Sequence, residues 1–584
     1  NMKRRFEKKN HKQGSALLVV LFIVMAITVL SLGFLSRCDT ELACGQNMVL
    51  CEQMDSLAYS GLEHAKGLIL YPQDIPAMGY WTGASAQQLA AGDDYYNVNV
   101  AMHNAINDAD PTYRCTYDVN SEAYRLKNGA KVGKSSIKAE LRLDPCIAYG
   151  SKVSASIPSR IIICGDTYCS GSILNMGTIN GDIFTSALSG SGTVSGQTKA
   201  VTEATVAWPN DVTVANFTSS TNPAYSVTSI AATVSGFQSA PYTPPKVYYC
   251  NGTMKLQGTV TIEGMLVVQG DLTVSGTANN INAGKNLPAL LVTGDLIIDD
   301  GGELSINGLA VVKNRVRIRA SAGNFYVYGG LFAENGLFET AADSSGNANT
   351  ALLYNCPTWR PSGGHTNGAI EFDGIDDYLQ TADSSTTPQI ANDYTFSVWV
   401  KADASQKDWS TIFAKTDSGA LTTHWTLQFD QSSPRKVVVR HPTDTWDTRI
   451  TLTDIAGAWH NIRIVRSGDT MRSYLDGVQK RSESWHIPPG WGNGHFNIGV
   501  NRTASSSYVF KGLIDELAIY NQAAVGANDT PAGLIGYWTF DKSGNGTVNI
   551  FASPDKAAIV VWNNGNPTRW GQAGGAFYRY IKRN

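Results

Sequence analysis

Charge is scarce in this chain. Only 16% of its 584 residues are Asp, Glu, Lys or Arg, and the formal net charge is −3. Holding a phosphate backbone takes clustered basic side chains. The one such cluster sits at the extreme N-terminus, so nucleic acid is set aside as a partner. Histidine is rare as well, and His424, His441, His460, His486 and His495 show no H-E-x-x-H or similar spacing that would put two imidazoles on one metal. No proline precedes Pro72, which leaves the first seventy residues without a helix breaker. The nine cysteines suit an oxidising compartment, but an odd number leaves at least one free or paired between chains.

What the chain has in abundance is glycine, 56 residues of it, with Thr, Ser, Val and Tyr, the composition of exported all-β protein. Its length predicts three or four domains at the usual ~100 to 200 residues each.

From Ser15 to Leu35 there is no charge, matching the ~20 apolar residues that carry a helix across a bilayer core. Lys3, Arg4, Arg5, Lys8, Lys9 and Lys12 precede it against the single Glu7, an excess that holds the N-terminus on the cytoplasmic side and sends the rest outward. Leu42, Leu50, Met54, Leu57, Leu62 and Leu68 continue at roughly helical spacing, so one helix is expected over 15–72, a rod of about 80 Å. Cys44 and Cys51, seven apart, lie too far along such a rod to bridge within it. An ordinary signal peptide has a shorter apolar core followed by small residues. Here the small residue, Gly14, comes first.

That inversion resembles a type IV prepilin signal, which implies cleavage between Gly14 and Ser15, methylation of the new N-terminus, and filament packing through Val19, Leu21, Phe22, Leu30 and Leu35. The family's usual glutamate at mature position five is replaced by Val19, as in the K-type pseudopilin of the filament tip. Glu41-Leu42-Ala43-Cys44-Gly45-Gln46-Asn47 and Ser56-Leu57-Ala58-Tyr59-Ser60-Gly61-Leu62-Glu63-His64-Ala65 resemble the N-terminal helix of the PilX-like pilus assembly family. The alternative is a plain signal anchor.

Beyond Pro72, the segments 95–100, 113–117 and 137–143 alternate with the two-residue period of half-buried strands, and helix followed by meander is the pilin plan for residues 73–150. Cys115 with Cys146, and Cys164 with Cys169, are candidate disulfides whose connectivity is left open. From 151 to 330 short β runs are punctuated by glycine, most clearly the three hexads that begin at Gly258, Gly264 and Gly270. A six-residue repeat of this kind points to a parallel β-helix, with a meandering sandwich as the alternative. The pattern resembles the bactofilin-like regions of exported assembly proteins and is read as a stalk without chemistry of its own.

Residues 331–525 carry, in order, Ala342-Asp343-Ser344-Ser345-Gly346-Asn347, Gly368-Ala369-Ile370-Glu371-Phe372-Asp373-Gly374, Tyr394-Thr395-Phe396-Ser397-Val398-Trp399-Val400 and Gly512-Leu513-Ile514-Asp515-Glu516-Leu517-Ala518-Ile519-Tyr520. These blocks resemble a laminin-G-like, concanavalin-A-like jelly roll, which implies a β-sandwich binding glycans or surface proteins. Tyr537-Trp538-Thr539-Phe540-Asp541 looks like the opening strand of that family displaced to the C-terminal side, so 526–584 either closes the jelly roll or returns to the stalk.

Glu371, Asp373 and Asp376 approach the carboxylate spacing of jelly-roll glycosidases, but Gly374 sits in an expected Asp-Gly turn that breaks the required alternation, and no catalytic residue is assigned. Asp373, Asp376, Asp377 and Asp515 are oxygen ligands suited to calcium, against the simpler reading as turn and strand-end acids, and no other cofactor is expected. Trp425, Trp446, Trp485 and Trp491 offer sugar-stacking rings, against burial as the default.

The expectation is therefore a multidomain, non-enzymatic protein: leader (1–14), transmembrane and extended helix (15–72), pilin-like α+β head (73–150), β-helix-like stalk (151–330), laminin-G-like jelly roll (331–525) and C-terminal β segment (526–584). Stored in the inner membrane and then carried on a surface filament with other pilins or pseudopilins, it would act as a minor pilin displaying an adhesin. The alternatives are an envelope or secretion component whose jelly roll docks proteins and, further off, a tethered glycoside hydrolase.

Overall fold

The computed structural model describes residues 12–70, 81–102, 116–144, 147–203, 208–209, 212–218, 226–239, 246–283, 287–381, 393–416, 423–441, 444–485, 494–501, 508–524, 526, 528–542, 546–551, 559–563, 566–570 and 576–582.

A single helix, α1, runs from Lys12 to Leu70, as the proline-free stretch dictates. Its first half is bare: the side chains of Leu17 to Leu35 are exposed apolar surface. Its second half buries Met54, Leu57, Ala58, Leu62, Ala65 and Ile69, one stripe at helical spacing. That stripe packs on Val98, Val100, Tyr117, Val119, Ile137, Ala139 and Leu141, one face of an antiparallel sheet. The sheet comprises β1 (Gly83–Gln87), β2 (Asp94–Met102), β3 (Thr116–Lys127) and β4 (Ala130–Asp144), in that order. Helix and sheet approach closely at Gly61, where a Cβ would stand 2.1 Å from Ser121 Oγ. The fifth strand is Ala576–Lys582, antiparallel to β4.

From Ile147 to Ala341 the strands pair in parallel in four sheets, one of them only the three short strands Ala155–Ile157, Ser172–Asn175 and Ala187–Ser189. The three glycine-headed hexads supply Thr261–Glu263, Met265–Val268 and Leu272–Val274, one strand to each of the larger sheets. Gly264 makes one of the corners at φ +141°, where a Cβ would lie 2.2 Å from Lys246 O. Each strand then pairs with its counterpart one circuit later, as Ile262 with Ile281, Leu266 with Leu290 and Leu272 with Leu296. Like side chains therefore stack. One column runs through Ile262, Ile281, Ile306, Val327, Ile550, Ile163 and Ile179, none of it exposed.

This column is out of chain order. The chain enters the array at its middle, where Tyr149 pairs with Leu331, and winds outward to Thr198–Lys199. Trp208, Val212 and Phe217 then pack on the outer face of one sheet, against Val267, Leu309 and Phe332. The chain restarts at the far end with Ser226–Ser229 and winds back to Leu337–Ala341. There one sheet continues without a break: Leu337–Ala341 is parallel to Val316–Arg319 on one side and antiparallel to Ala351–Tyr354 on the other.

Beyond that strand lies a sandwich of two antiparallel sheets with jelly-roll-like connections. One sheet contains Tyr378–Thr381, Phe496–Ile498, Thr411–Thr416, Thr423–Phe429, Lys436–His441 and Asp444–Thr451. The other contains Ala369–Asp373, Lys511–Tyr520, Tyr394–Ala402, His460–Ser467, Thr470–Leu475 and Val478–Ser484. Their facing side chains form an aromatic core with Phe396, Phe413, Trp425, Phe429, Phe496 and Trp538.

The segment expected to return either to the stalk or to the jelly roll does both, and also reaches the helix-bearing sheet. Leu534–Trp538 pairs with Lys511–Tyr520 and closes the sandwich. Val548–Phe551 slots between Phe325–Tyr328 and Ile161–Cys164 in the parallel array. Ala576–Lys582 extends the first sheet. The modules are thus nested rather than strung in line, and the array is no simple spacer: chain enters and leaves it at neighbouring circuits.

Candidate functional site

Strand alternation builds the polar face of the sandwich. In Trp425-Thr426-Leu427-Gln428-Phe429 the odd positions enter the core, so Thr426 and Gln428 point to the opposite face. By the same alternation Gln380 lies beside the inward Leu379, and Asn497 between the inward Phe496 and Ile498. Register aligns Gln380, Asn497, Ala414, Thr426 and Arg440 in one row across five strands.

This face carries few charges and many amides. Gln380 Nε2 donates to Asn497 Oδ1 at 3.0 Å. Gln428 Oε1 accepts from Thr426 Oγ1 at 2.9 Å and from Asn501 Nδ2 at 3.3 Å. Gln428 is 0% exposed, Asn497 1% and Asn501 6%. Even so, Gln428 Nε2, Asn497 Nδ2 and Asn501 Oδ1 have no hydrogen-bond partner among the described residues. Two donors and one acceptor are therefore left unpaired on one face, each at a cost of about 1–3 kcal/mol. The row ends at partly exposed Gln380 on one side and at exposed Arg440, whose guanidinium lies 4.9 Å from the Trp409 ring centre, on the other.

The acids sit elsewhere. Asp373, Asp376 and Asp377 come together in the turn after Ala369–Asp373, with their oxygens within 4.8 Å of one another. Gly374 makes that turn at φ +76°, as the Asp-Gly pair predicts. Asp373 Oδ1 accepts from Ile375 N at 2.7 Å, and Asp377 Oδ2 from Asp373 N at 3.0 Å. Burial, then the Asp373 charge, pushes Asp377 up to about 8, and the same causes raise Asp376. Asp515 does not join them. Its Oδ2 accepts from Thr366 N at 3.0 Å beneath the 363–367 turn, and burial pushes it up to about 7. Three of the four calcium candidates thus converge, and their carboxylate oxygens suit a hard cation.

Other expected residues are engaged in structure. Glu371 and Asp373 share the outward face of Ala369–Asp373, but Glu371 pairs with Arg360 and Asp373 holds its own turn. Trp425, Trp446 and Trp485 are buried in the core between the sheets, the default reading, and are not available for sugar stacking. Trp491 and His486 lie outside the described residues. His460 Nδ1 is 2.8 Å from Asp476 Oδ2 and His495 Nδ1 2.6 Å from Thr381 O, at separate places.

Cys164 and Cys169, a candidate pair, are buried and not joined by a disulfide. They end strands of two different sheets, with the corner at Gly165 (φ +139°) between them, and Cys169 Sγ is 2.7 Å from Val153 O. Cys115 and Cys146 lie outside the described residues. At the N-terminus, Gly14 and Ser15 fall within the first turn of α1, and Val19, Leu21, Phe22, Leu30 and Leu35 are all exposed. Among the described residues α1 is the one helix long and apolar enough to cross a membrane.

The amide row escaped the sequence reading because Gln and Asn on a strand look like ordinary solvated positions. The usable signal was their alternation with large aromatics on neighbouring strands.

No curated protein matches the chain. Among solved structures, it is similar to domain 4 of AbnA, a GH43 extracellular arabinanase from Geobacillus stearothermophilus in complex with arabinotriose, at 21% identity over 34% of this chain and 89% of that one, TM-score 0.25. It is similar to a putative carbohydrate binding protein from Bacteroides ovatus at 15% identity, over 34% of this chain and 56% of that one, TM-score 0.21. A heptameric SAP-like pentraxin from Limulus polyphemus is similar at 13% identity, over 37% and 94%, TM-score 0.24. Residues 373–528 match the family model of the concanavalin A-like lectin/glucanases superfamily.

Proposed function

We propose that this is a membrane-anchored, filament-associated display protein whose sandwich binds glycans. The observation that carries the glycan reading is the cluster of Gln428, Asn497 and Asn501 on the polar face of one sheet, where Gln428 and Asn497 lie in the two strands that flank Thr411–Thr416 and Asn501 bonds to Gln428: amides with unpaired donors and an unpaired acceptor complement the hydroxyls of a sugar, which donate and accept at once. The family match over 373–528 supports the same reading. Asp373, Asp376 and Asp377 would hold a calcium ion in the turn after Ala369–Asp373, apart from the amides.

The rest of the molecule supports the display role. A helix half bare and half seated on an antiparallel sheet, preceded by Gly14, suits a minor pilin or pseudopilin, with the exposed apolar half in the membrane before assembly and against other subunits after it. The parallel array reads as a β-helix that holds the sandwich firmly, since one sheet runs through both. No residue is assigned a catalytic role.

A glycan array probed with the full chain in detergent tests the sugar claim. Binding should fall at least tenfold in Gln428→Leu and Asn497→Leu, while thermal stability holds or rises because orphaned polar atoms are removed. Unchanged binding in both variants, or capture of proteins and no glycan, would sink it. Gly14→Leu should abolish the processed form and the protein's recovery with purified filaments; normal processing would refute the pilin claim.

A further inference from the structure

We infer that the outer edge of β4 is a strand-acceptor site filled by residues 576–582 of the same chain, and that this site is filled only after the parallel array has folded. The inference stands on topology and does not rest on the glycan or filament readings.

The register is explicit. Lys138 pairs with Lys582 and, across seven residues, Asp144 with Ala576, all antiparallel. In the sheet order β4 has β3 on one side and this strand on the other. Without it, the backbone N–H and C=O groups of 138–144 that do not point toward β3 form an open sheet edge, the surface most prone to capture another chain. Ala139 and Leu141 within that stretch are core residues beneath α1, so the edge and the seating of the helix are coupled.

Closure then follows a strict order. Three units open in sequence along the chain: the helix-bearing sheet, the array from Ile147, and the sandwich after Ala341. They close in reverse. Leu534–Trp538 completes the sandwich, Val548–Phe551 the array and Ala576–Lys582 the first sheet. Before the array forms, joining residue 582 to residue 138 means closing a loop of more than ~400 residues, whose entropy cost rises with length. Once Ile550 stacks on Ile163, residue 551 lies near the point where the chain left β4, and only ~25 residues remain to be spanned. Array folding thus prepares the docking of 576–582, and the helix-bearing sheet is complete only when both inserted modules are.

Amide hydrogen exchange on the full chain in detergent micelles tests this. In the wild type, 138–144 should be protected. Arg579→Pro, which removes a strand N–H, should speed their exchange at least ~100-fold while amides of 262–274 and 394–402 stay protected. A synthetic peptide of residues 576–582 should restore protection in a dose-dependent way. Gly329→Val, which would set a Cβ 2.6 Å from the Gly308 backbone in the array, should also expose 138–144, although it lies in another module. Protection that survives Arg579→Pro, or a peptide without effect, overturns the acceptor site. Protection that survives Gly329→Val in an opened array overturns the order. Loss of array protection in Arg579→Pro would overturn the order too, because the dependence would run the other way. Protection that falls on dilution as a dimer disappears would give the strand to a second copy and overturn the same-chain assignment.

Discussion

Replacing Trp538 with Ala tests whether residues 534–538 close the sandwich. Trp538 is fully buried, its ring stacks on Phe496 at 5.5 Å and 8°, and its Nε1–H donates to Asn349 O at 3.0 Å. Truncating a core Trp to Ala costs about 3–5 kcal/mol in transfer and cavity terms. Leaving the Asn349 carbonyl unpaired adds to this, unless water enters the cavity. With about 4 kcal/mol as the working value, a unit of this size should lose roughly 8–16 °C in Tm. Differential scanning calorimetry of the full chain would measure it, with exchange at 394–402 identifying the sandwich transition. Trp538→Phe keeps the stacked ring and loses only the hydrogen bond, so its loss should be near 1 kcal/mol. A shift below about 2 °C in the Ala variant would refute the closing-strand assignment, since no core Trp of this kind can be removed so cheaply.

Asp377 should make the sandwich pH-sensitive. Its carboxyl titrates near 3.9 in the unfolded chain and near 8 in the folded one, so between those values the folded state keeps a proton that the unfolded state releases. Stability should therefore fall as pH rises from about 4 to about 8 and level off above that, by a few kcal/mol at most. Asp377→Asn should flatten the profile, and millimolar calcium should raise Tm above pH 7 in the wild type but not in the variant; a parallel slope in both would dismiss the acid cluster. In the array, Arg317 pairs with Asp295, which is only 2% exposed at its side chain. Arg317→Leu would strand that carboxylate and should cost about 3–5 kcal/mol. Urea unfolding should show the loss in the array, and an unchanged midpoint would mean the pair adds nothing.

Local order was legible because it is written in local periods. A proline-free run set α1, and three glycine-headed hexads marked three sides of one circuit. Partners far apart in the chain were not, because strand pairing across hundreds of residues leaves no periodic trace. Asp343 shows the difference. It stood in a recognisable Asp-Ser-Ser-Gly-Asn block, and the Tyr537-Trp538 block stood nearly two hundred residues on, readable as a strand that closes the jelly roll or leaves it, with nothing to show that it docks on Asp343. In the fold Asp343 Oδ1 accepts from Tyr537 N at 2.8 Å, and Asn349 Nδ2 donates to Ile535 O at 2.7 Å. The first block is the socket for the second. Likewise Cys164 and Cys169 looked like partners by nearness in sequence, whereas the corner between them sends their strands to different sheets.

Nesting also changes how the sandwich is held. A module hung on a flexible linker would tumble independently and lose orientation under load. Here the sheet containing Val316–Arg319 passes through Leu337–Ala341 into Ala351–Tyr354, and the chain leaves the sandwich to rejoin the array one strand away from its point of entry. Arg160 strengthens the junction: it pairs with Glu339 and donates to Arg319 O at 2.7 Å, tying the first circuit to the strand that leads into the sandwich. Two covalent crossings and one continuous sheet leave the amide row fixed relative to the array. A force applied at the sandwich is then shared by parallel strands on both sides of the junction, and the helix-bearing sheet receives it through two connections, at Asp144 and through the segment before Ala576.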